Sequence, residues 1–223
     1  MNLIEYPDAD LMVMDVADSL SSDLKSALLT HDAVTFAVPG GTTPGPLFDV
    51  LSALPLDWAR VTVLPTDERC VPFESDRSNA RLIRERLVQG RAAEATFVSL
   101  YDPATDPVAH AASLGETLAA KLPLDVLLLG MGADMHTASL FARTPGLEAA
   151  LAPTAPPLAY LEPPSQPEPR ISLTGPALSG ALRTHLVLTG ADKRAALEKA
   201  QRLQPSAAPV QTILTNSTIH WAP

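Results

Sequence analysis

Residues 126–141 read Val-Leu-Leu-Leu-Gly-Met-Gly-Ala-Asp-Met-His-Thr-Ala-Ser-Leu-Phe, and this stretch carries the most information about fold and chemistry. Its first four residues are apolar, as is typical of a strand buried on both faces of a parallel sheet. A glycine-rich loop follows, with Asp134 and His136 two positions apart. Glycine lets backbone approach a ligand closely, and a histidine beside a carboxylate can act as a base near neutral pH. The stretch therefore predicts an active-site loop at the end of a buried strand. The alternative is a structural loop in which Asp134 caps a helix and His136 only shapes the turn.

The rest of the chain alternates short apolar runs with longer amphipathic segments. The runs predict strands at Ala33–Val38, Val61–Pro65, Thr96–Leu100, Asp125–Leu129 and His185–Thr189. Helical periodicity predicts helices at about Ala9–Thr30, Pro44–Leu54, Arg77–Gln89, Pro107–Lys121 and Asp192–Arg202. Such alternation is typical of an α/β fold with a mostly parallel sheet and helices on both faces. The length favours one domain over residues 1–223.

Two segments do not fit that alternation. Residues 153–169 contain seven prolines, which predicts an irregular loop or an edge segment. The tail Val210–Trp221 has alternating character, and we expect it to add a hairpin of edge strands.

Composition excludes several classes of function. The net charge of −9 and the pI of about 4.9 argue against a nucleic acid or an anionic membrane as partner. The single cysteine, Cys70, excludes an internal disulfide and a cysteine-rich metal site, and the five histidines show no metal-ligand spacing. The sequence has neither a signal peptide nor an apolar run long enough for a membrane span, so we expect a soluble cytoplasmic protein.

Polar and glycine residues also follow the other predicted strands. Gly40-Gly41-Thr42-Thr43-Pro44 opens a helix directly after the strand at 33–38, where exposed backbone N–H groups and the positive helix end can bind an anion. The motif lacks the lysine of a Walker loop and the spacing of a dinucleotide fingerprint. An ordinary turn with Thr43 as helix cap is the alternative.

Further charged residues follow the strands at 61–65 and 185–189. Asp67, Glu68 and Arg69 form one short cluster, and its arginine can bind phosphate or stabilise an oxyanion, although a structural ion pair is the alternative. Arg170 and Lys193 can bind an anion or lie on the surface as solvated charges. A nucleophilic Ser139 is not favoured, because the chain has no Gly-x-Ser-x-Gly elbow. Parallel strands meet at one sheet edge, so we expect the loop near Gly41 and the imidazole of His136 to share one pocket.

Four motifs in this order resemble the 6-phosphogluconolactonase family, which is related to glucosamine-6-phosphate deaminase. They are Gly-Gly-Thr-Thr-Pro at 40–44, Asp-Glu-Arg-Cys-Val-Pro at 67–72 followed by Ser78-Asn79, the glycine-rich loop at 130–141, and Arg-x-x-Leu-Thr at 170–174. The resemblance runs from about residue 30 to 200. His-Thr-Ala-Ser-Leu-Phe resembles the lactonase branch, since the deaminases usually continue Ile-Ala-Phe-Asn after the histidine.

The resemblance implies a modified Rossmann-like fold and hydrolysis of 6-phospho-D-glucono-1,5-lactone, in the oxidative pentose phosphate pathway, with no metal and no cofactor. It implies that His136 is the general base, oriented by Asp134, and that Arg69 serves the lactone oxygen or the phosphate. The remaining implied substrate-binding residues are Gly40, Gly41, Thr42, Thr43, Asp67, Arg170 and Lys193. The family most often has glycine at the position of Met135, where we expect ordinary backbone, and proline at the position of Ala142.

Two other functions remain open at this point. One is an amino-sugar phosphate deaminase or isomerase on the same scaffold, and the other is a non-catalytic sugar-phosphate-binding domain. The partner in all three cases is a small sugar phosphate, and the chain is expected to be a monomer or a homodimer.

Overall fold

The computed structural model describes all 223 residues, which form ten strands and eight α-helices. The strands are β1 (Asn2–Glu5), β2 (Val34–Val38), β3 (Val61–Pro65), β4 (Asp67–Arg69), β5 (Thr96–Phe97), β6 (Val126–Gly130), β7 (Leu158–Leu161), β8 (Arg170–Leu173), β9 (Arg183–Thr189) and β10 (Ser217–Ala222). The α-helices are α1 (Ala9–Leu28), α2 (Gly45–Ala53), α3 (Asn79–Arg86), α4 (Pro107–Ala119), α5 (Leu147–Leu151), α6 (Gly175–Ser179), α7 (Ala191–Ala200) and α8 (Gln211–Leu214). Two short 3₁₀ helices cover Trp58–Arg60 and Gly90–Glu94.

Seven strands form one sheet in which every neighbouring pair is parallel. The strand order is β1-β10-β9-β6-β2-β3-β5. Because all seven strands run the same way, the loops that follow them emerge at one edge. The α/β class and the mostly parallel sheet predicted from the sequence are confirmed.

Successive side chains of the inner strands of this sheet enter two different hydrophobic cores. In β6, Leu127 and Leu129 belong to a core of 28 residues, whereas Val126 and Leu128 belong to a second core of 22 residues. Helices α1, α2 and α3 contribute to the smaller core, and α4 to α8 contribute to the larger one. The sheet is therefore covered by helices on both faces, as predicted, and this explains why its strands read as continuous apolar runs.

A second, antiparallel sheet has the order β4-β8-β7. Thr66 connects it to the large sheet, since its N–H donates to Val38 at 2.8 Å and its carbonyl accepts from Leu173 at 2.9 Å. β7 is an edge strand inside the proline-rich segment 153–169, which agrees with the prediction of an edge segment there. The short strands β1, β4 and β8 were not predicted.

The C-terminal tail does not form the predicted hairpin of edge strands. The chain passes through α8 into β10, which lies inside the large sheet and pairs in parallel with both β1 and β9. Ile219 and His220 are fully buried, so the tail enters the sheet interior rather than its edge. A hairpin requires an antiparallel neighbour, and β10 has none.

Two further sequence predictions are corrected at element ends. The predicted strand at 96–100 is reduced to Thr96 and Phe97, which pair with β3. Thr43 does not cap α2, because Pro44 occupies the N-cap position in a helical conformation with no side-chain cap bond. Ser78 caps α3, since its hydroxyl accepts a hydrogen bond from Arg81 N–H. None of the helices combines the length and apolar composition of a membrane-spanning segment.

A hydrogen-bonded row of side chains joins β9 and β10 to α1. His220 Nδ1 lies 2.8 Å from Tyr6 Oη, and its Nε2 lies 3.0 Å from His185 Nδ1. Asp15 and Asp23, two turns apart on α1, contact the two ends of the row at Tyr6 and His185. Burial, and then the neighbouring His185, lower the pKa of His220 from its ordinary value of 6.5 to about 4.

This buried histidine makes the stability of the fold depend on pH. Between pH 6.5 and 4 an unfolded chain binds a proton at His220 that the folded chain does not bind. The contribution of His220 to the free energy of unfolding is therefore fully present above pH 6.5 and is lost as the pH falls towards 4. The loss from this residue is up to about 3 kcal/mol of unfolding free energy. Denaturant unfolding across this pH range should show the loss. His220→Gln should reduce the slope of the free energy of unfolding against pH.

His110→Asn is the control, because His110 lies on α4, whose buried residues belong to the other core, and it takes part in none of the hydrogen bonds of the row. It should keep the parent's pH dependence. An unchanged slope in His220→Gln would assign the pH dependence to other groups.

Candidate active site

Loops at the carboxyl edge of the large sheet surround one cavity of about 260 Å³. Its lining brings together the loop at 39–44, the strand β4, the loop after β6 and the first turns of α7. The sequence-predicted site residues among the lining are Gly40, Gly41, Thr42, Thr43, Asp67, Arg69, His136 and Lys193. The expectation that the loop near Gly41 and the imidazole of His136 share one pocket is confirmed.

Asp134 orients the imidazole of His136. Oδ1 of Asp134 lies 2.5 Å from Nδ1 of His136 and also accepts the His136 backbone N–H at 3.3 Å. A carboxylate accepts and does not donate, so in the neutral form of the imidazole the proton is on Nδ1 and Nε2 is the unprotonated nitrogen. The hydrogen bond from His136, opposed by partial burial, lowers the pKa of the Asp134 carboxyl below its usual range.

Packing holds the same imidazole from the other side. The ring stacks on Phe141 with 4.1 Å between ring centroids and 23° between ring planes. Gly132 lies against the pair so closely that a Cβ there would stand 2.3 Å from the imidazole and 2.4 Å from Asp134 Oδ1. Glycine at 132 is therefore a steric requirement of the Asp134–His136 pair.

The loop after β6 contains three non-glycine residues with left-handed backbone. Their φ angles are 68° at Met135, 47° at Ala138 and 66° at Arg143. Our expectation of ordinary backbone at Met135 is therefore wrong. Each such residue costs roughly 1–2 kcal/mol. Hydrogen bonds hold Met135 in this conformation, since its N–H donates to the carbonyl of Gly132 and its own carbonyl accepts from Val210 N–H.

Ser139 ties this loop to the antiparallel sheet. Its hydroxyl donates to Asp67 Oδ2 at 2.6 Å, and its backbone N–H donates to Ser172 Oγ at 3.1 Å. Ser139 is 1% exposed and forms no hydrogen bond with His136, which agrees with the sequence argument against a serine nucleophile. Thr137 adds a second tether, because its hydroxyl donates to the carbonyl of Gly130 at 2.9 Å.

The loop at 39–44 presents backbone to the cavity. Gly41 has a φ of 90°, a conformation that glycine adopts without strain. Gly40 packs directly on Asn79, whose amide group donates to the carbonyl of Asp67 at 2.8 Å. Asn79 thereby braces the loop against β4 and itself lines the cavity.

Glu68 holds Asn79 in place, a role that we did not assign to it from the sequence. Its buried carboxylate accepts backbone N–H groups of Arg69, Asn79 and Ala80 at 2.6 to 2.8 Å, which holds the start of α3 against β4. Burial, opposed by these hydrogen bonds, raises the pKa of Glu68. The Asp-Glu-Arg cluster followed by Ser78-Asn79 contains both partners, but only the fold shows that they meet.

Two cationic side chains face the cavity in an otherwise acidic protein. Arg69 uses Nη1 to donate to the carbonyl of Arg77 at 2.5 Å, which leaves its other N–H groups for a ligand. Lys193 lies near the start of α7, and partial burial lowers its pKa. No ion pair of either side chain with a carboxylate is present, so both can take an anionic partner.

Arg170 does not line the cavity. It pairs in register with Arg69 across β4 and β8, is 2% exposed, and donates to Gln166 Oε1 at 2.8 Å. A direct phosphate contact of Arg170 stays a prediction. Burial raises the pKa of the neighbouring Cys70 to about 11, so this thiol is a poor nucleophile.

Sequence and structure comparisons identify relatives over nearly the whole chain. The family described as glucosamine-6-phosphate isomerases/6-phosphogluconolactonase matches residues 7–221. A 6-phosphogluconolactonase of Rhizobium meliloti is 39% identical over 230 residues, covering 100% of this chain and 98% of the relative. One of Pseudomonas aeruginosa is 39% identical and covers 93% and 89%. The crystal structure of a 6-phosphogluconolactonase from Shewanella baltica superposes with a TM-score of 0.95 at 30% identity, covering 100% of this chain and 98% of that one.

The steric role of Gly132 leads to a direct test of the Asp134–His136 pair. Gly132→Ala should push the imidazole away from the carboxylate, because the added methyl would overlap both side chains. The Nδ1 proton that is hydrogen-bonded to Asp134 should give a downfield resonance in NMR spectra of the histidine-labelled parent, and this resonance should be lost or shifted upfield in the variant.

Gly115→Ala is the matched control. Position 115 lies in α4, where a Cβ would meet its nearest neighbour at an ordinary 3.7 Å. This variant should keep the resonance. A folded Gly132→Ala protein with the parent's resonance would show that the pair tolerates a side chain there.

Proposed function

The chain belongs to the family of glucosamine-6-phosphate isomerases and 6-phosphogluconolactonases, and we propose that it hydrolyses 6-phospho-D-glucono-1,5-lactone to 6-phosphogluconate. One observation carries the proposal: an oriented imidazole and two cationic side chains face one cavity of about 260 Å³. A base and an anion site in one small cavity suit a phosphorylated ester. The sequence after His136 favours the lactonase over the deaminase branch.

His136 acts in this proposal as the general base. Nε2 removes a proton from water while the water oxygen bonds to the lactone carbonyl carbon. The resulting oxyanion collapses, the bond from that carbon to the ring oxygen breaks, and Nε2–H returns its proton to the ring oxygen. A lactone is an activated ester, so no covalent intermediate with the protein is needed. A positioned base contributes about 10²–10⁴-fold to the rate.

Asp134 stabilises the imidazolium that forms during the attack. Its carboxylate is ionised at neutral pH, and the bond to His136 lowers its pKa further. An acceptor at Nδ1 also fixes the ring tautomer that presents a bare Nε2. Asp134 thus has both an orienting and an electrostatic role.

Arg69, Lys193 and the loop at 39–44 hold the substrate's negative charge. The backbone N–H groups near Gly41, at the start of α2, supply donors for the phosphate, and Lys193 supplies the counter-charge. Arg69 takes the lactone oxygen or the phosphate, and one oxyanion donor contributes about 10²–10³-fold. The carboxylate of Asp67 accepts hydrogen bonds from the hydroxyls of Ser139 and Thr66. We therefore assign Asp67 a role in shaping the site.

We further propose that residues 1–223 act as one domain, because the cavity draws on the chain from Pro39 to Lys193. A cytoplasmic location and a monomeric or homodimeric state stay predictions from the sequence. So does the expectation that the reaction needs no cofactor.

A pH-stat assay of lactone opening, corrected for the spontaneous rate, tests the function. The purified protein should accelerate opening of the phosphorylated lactone far above buffer. Release of ammonia from glucosamine 6-phosphate would instead indicate the deaminase. Binding of 6-phosphogluconate without hydrolysis would favour the non-catalytic binding domain.

Asp134→Asn should lower kcat by about 10²–10⁴-fold. The asparagine amide can donate to Nδ1, which moves the ring proton to Nε2 and removes the base. Steady-state kinetics with the phosphorylated lactone measure the effect, and Asp10→Asn on the exposed start of α1 is the charge-matched control. An Asp134→Asn enzyme within threefold of the parent would contradict the tautomer argument.

Lys193→Met should raise KM for the phosphorylated lactone by about 10–100-fold, since a hydrogen bond to a charged group contributes about 1.5–3 kcal/mol. kcat should change much less, because the phosphate lies away from the reacting carbon. Lys199→Met, which removes an exposed lysine from the same helix, is the control. If the loss appeared in kcat with KM unchanged, Lys193 would act on the reaction centre instead.

A further inference from the structure

Gly130, the last residue of β6, has no structural reason to be glycine. Its φ lies outside the left-handed region, so any L-residue can adopt its backbone. A Cβ built there meets no heavy atom within 4 Å. Its carbonyl is held by Thr137 and its strand pairing to β9 is regular. Glycine at such a position is less stable than alanine by roughly 0.5–1 kcal/mol.

Other glycines around the cavity differ from Gly130 in this respect. Gly41 has a φ angle of 90°, which strongly favours glycine, and at Gly40 a Cβ would overlap the side chain of Asn79. Gly132 is required because a Cβ would overlap the Asp134–His136 pair. Gly130 alone among these four combines ordinary backbone with free space.

The free space at Gly130 opens on the anion-binding side of the cavity. Side chains alternate along β6, so a side chain at 130 would lie on the same face as Leu128. The cross-strand partner of Gly130 is Val187, and both Leu128 and Val187 belong to the smaller core and line the cavity. That core lies beneath α2, which begins directly after the loop at 39–44.

We propose that Gly130 determines which ligands fit, by leaving room for the phosphate-bearing end of a sugar phosphate. The carbon that carries the phosphate packs against the bare backbone of Gly130, between Leu128 and Val187, while the phosphate reaches the loop at 39–44 and Lys193. Any side chain at this position occupies that space. This inference rests on the proposed function and names the part of the substrate that the position selects.

Gly130→Ala tests the inference without disturbing the fold. We expect the variant to be at least as stable as the parent, since the methyl meets empty space and the unfolded chain loses freedom. KM for the phosphorylated lactone and the dissociation constant of 6-phosphogluconate, measured by calorimetry, should each rise at least about tenfold. The relative loss in kcat/KM should be smaller for unphosphorylated gluconolactone, which lacks the group that packs there.

The matched control is again Gly115→Ala, which should also be at least as stable as the parent but should match the parent in KM, in the dissociation constant and in the kinetics with unphosphorylated gluconolactone. Parent-like kinetics and binding in Gly130→Ala would overturn the inference while leaving the hydrolase function intact. A clear loss of stability would also overturn it, because the space would then not be free. A parent protein that neither opens the lactone nor binds 6-phosphogluconate would instead refute the proposed function.

Discussion

The parallel pairing of seven strands is the constraint on which the rest of the structure depends. It places every strand end, and so every following loop, at one edge of the sheet. The loop at 39–44, the loop after β6 and the start of α7 are far apart in sequence, yet they line one cavity. The two hydrophobic cores on either face keep the strands in register and exclude water from them. Without that double coverage the anion site and the imidazole would have no fixed separation.

The loop that carries His136 is held in a conformation that the backbone alone disfavours. Met135 and Ala138, on either side of the histidine segment, have positive φ angles. The tethers from Thr137 to Gly130 and from Ser139 to Asp67, together with the bond from Val210 to Met135, offset that cost. Strain held in this way by surrounding structure is common at functional sites, where it pre-organises a side chain. Here the result is an imidazole fixed by a carboxylate, an aromatic ring and a glycine.

Charge at the site is opposite to charge over the molecule. The chain carries a net −9, yet Arg69 and Lys193 face the cavity and neither forms an ion pair with a carboxylate. Partial burial lowers the pKa of Lys193, which makes its ammonium more dependent on an anionic ligand. The acidic exterior disfavours binding of polyanions, whereas a small phosphate compound can enter the cavity and meet the two cations. Local placement of charge, and not the net charge, therefore sets what the site can bind.

The sequence by itself determined the α/β class, most strand and helix positions, and the residues of the Asp134–His136 pair and the loop at 39–44. These follow from local signals, namely apolar runs, helical periodicity and the chemistry of short motifs. Tertiary structure alone decided that β10 enters the sheet between β1 and β9, that Arg170 lies outside the cavity lining, and that Glu68 anchors α3. It also decided that Gly132 serves the histidine and Gly130 leaves space for a ligand, although both read alike in sequence. The reason is physical: these features depend on which distant atoms come within contact distance, and no local pattern of residues encodes that distance.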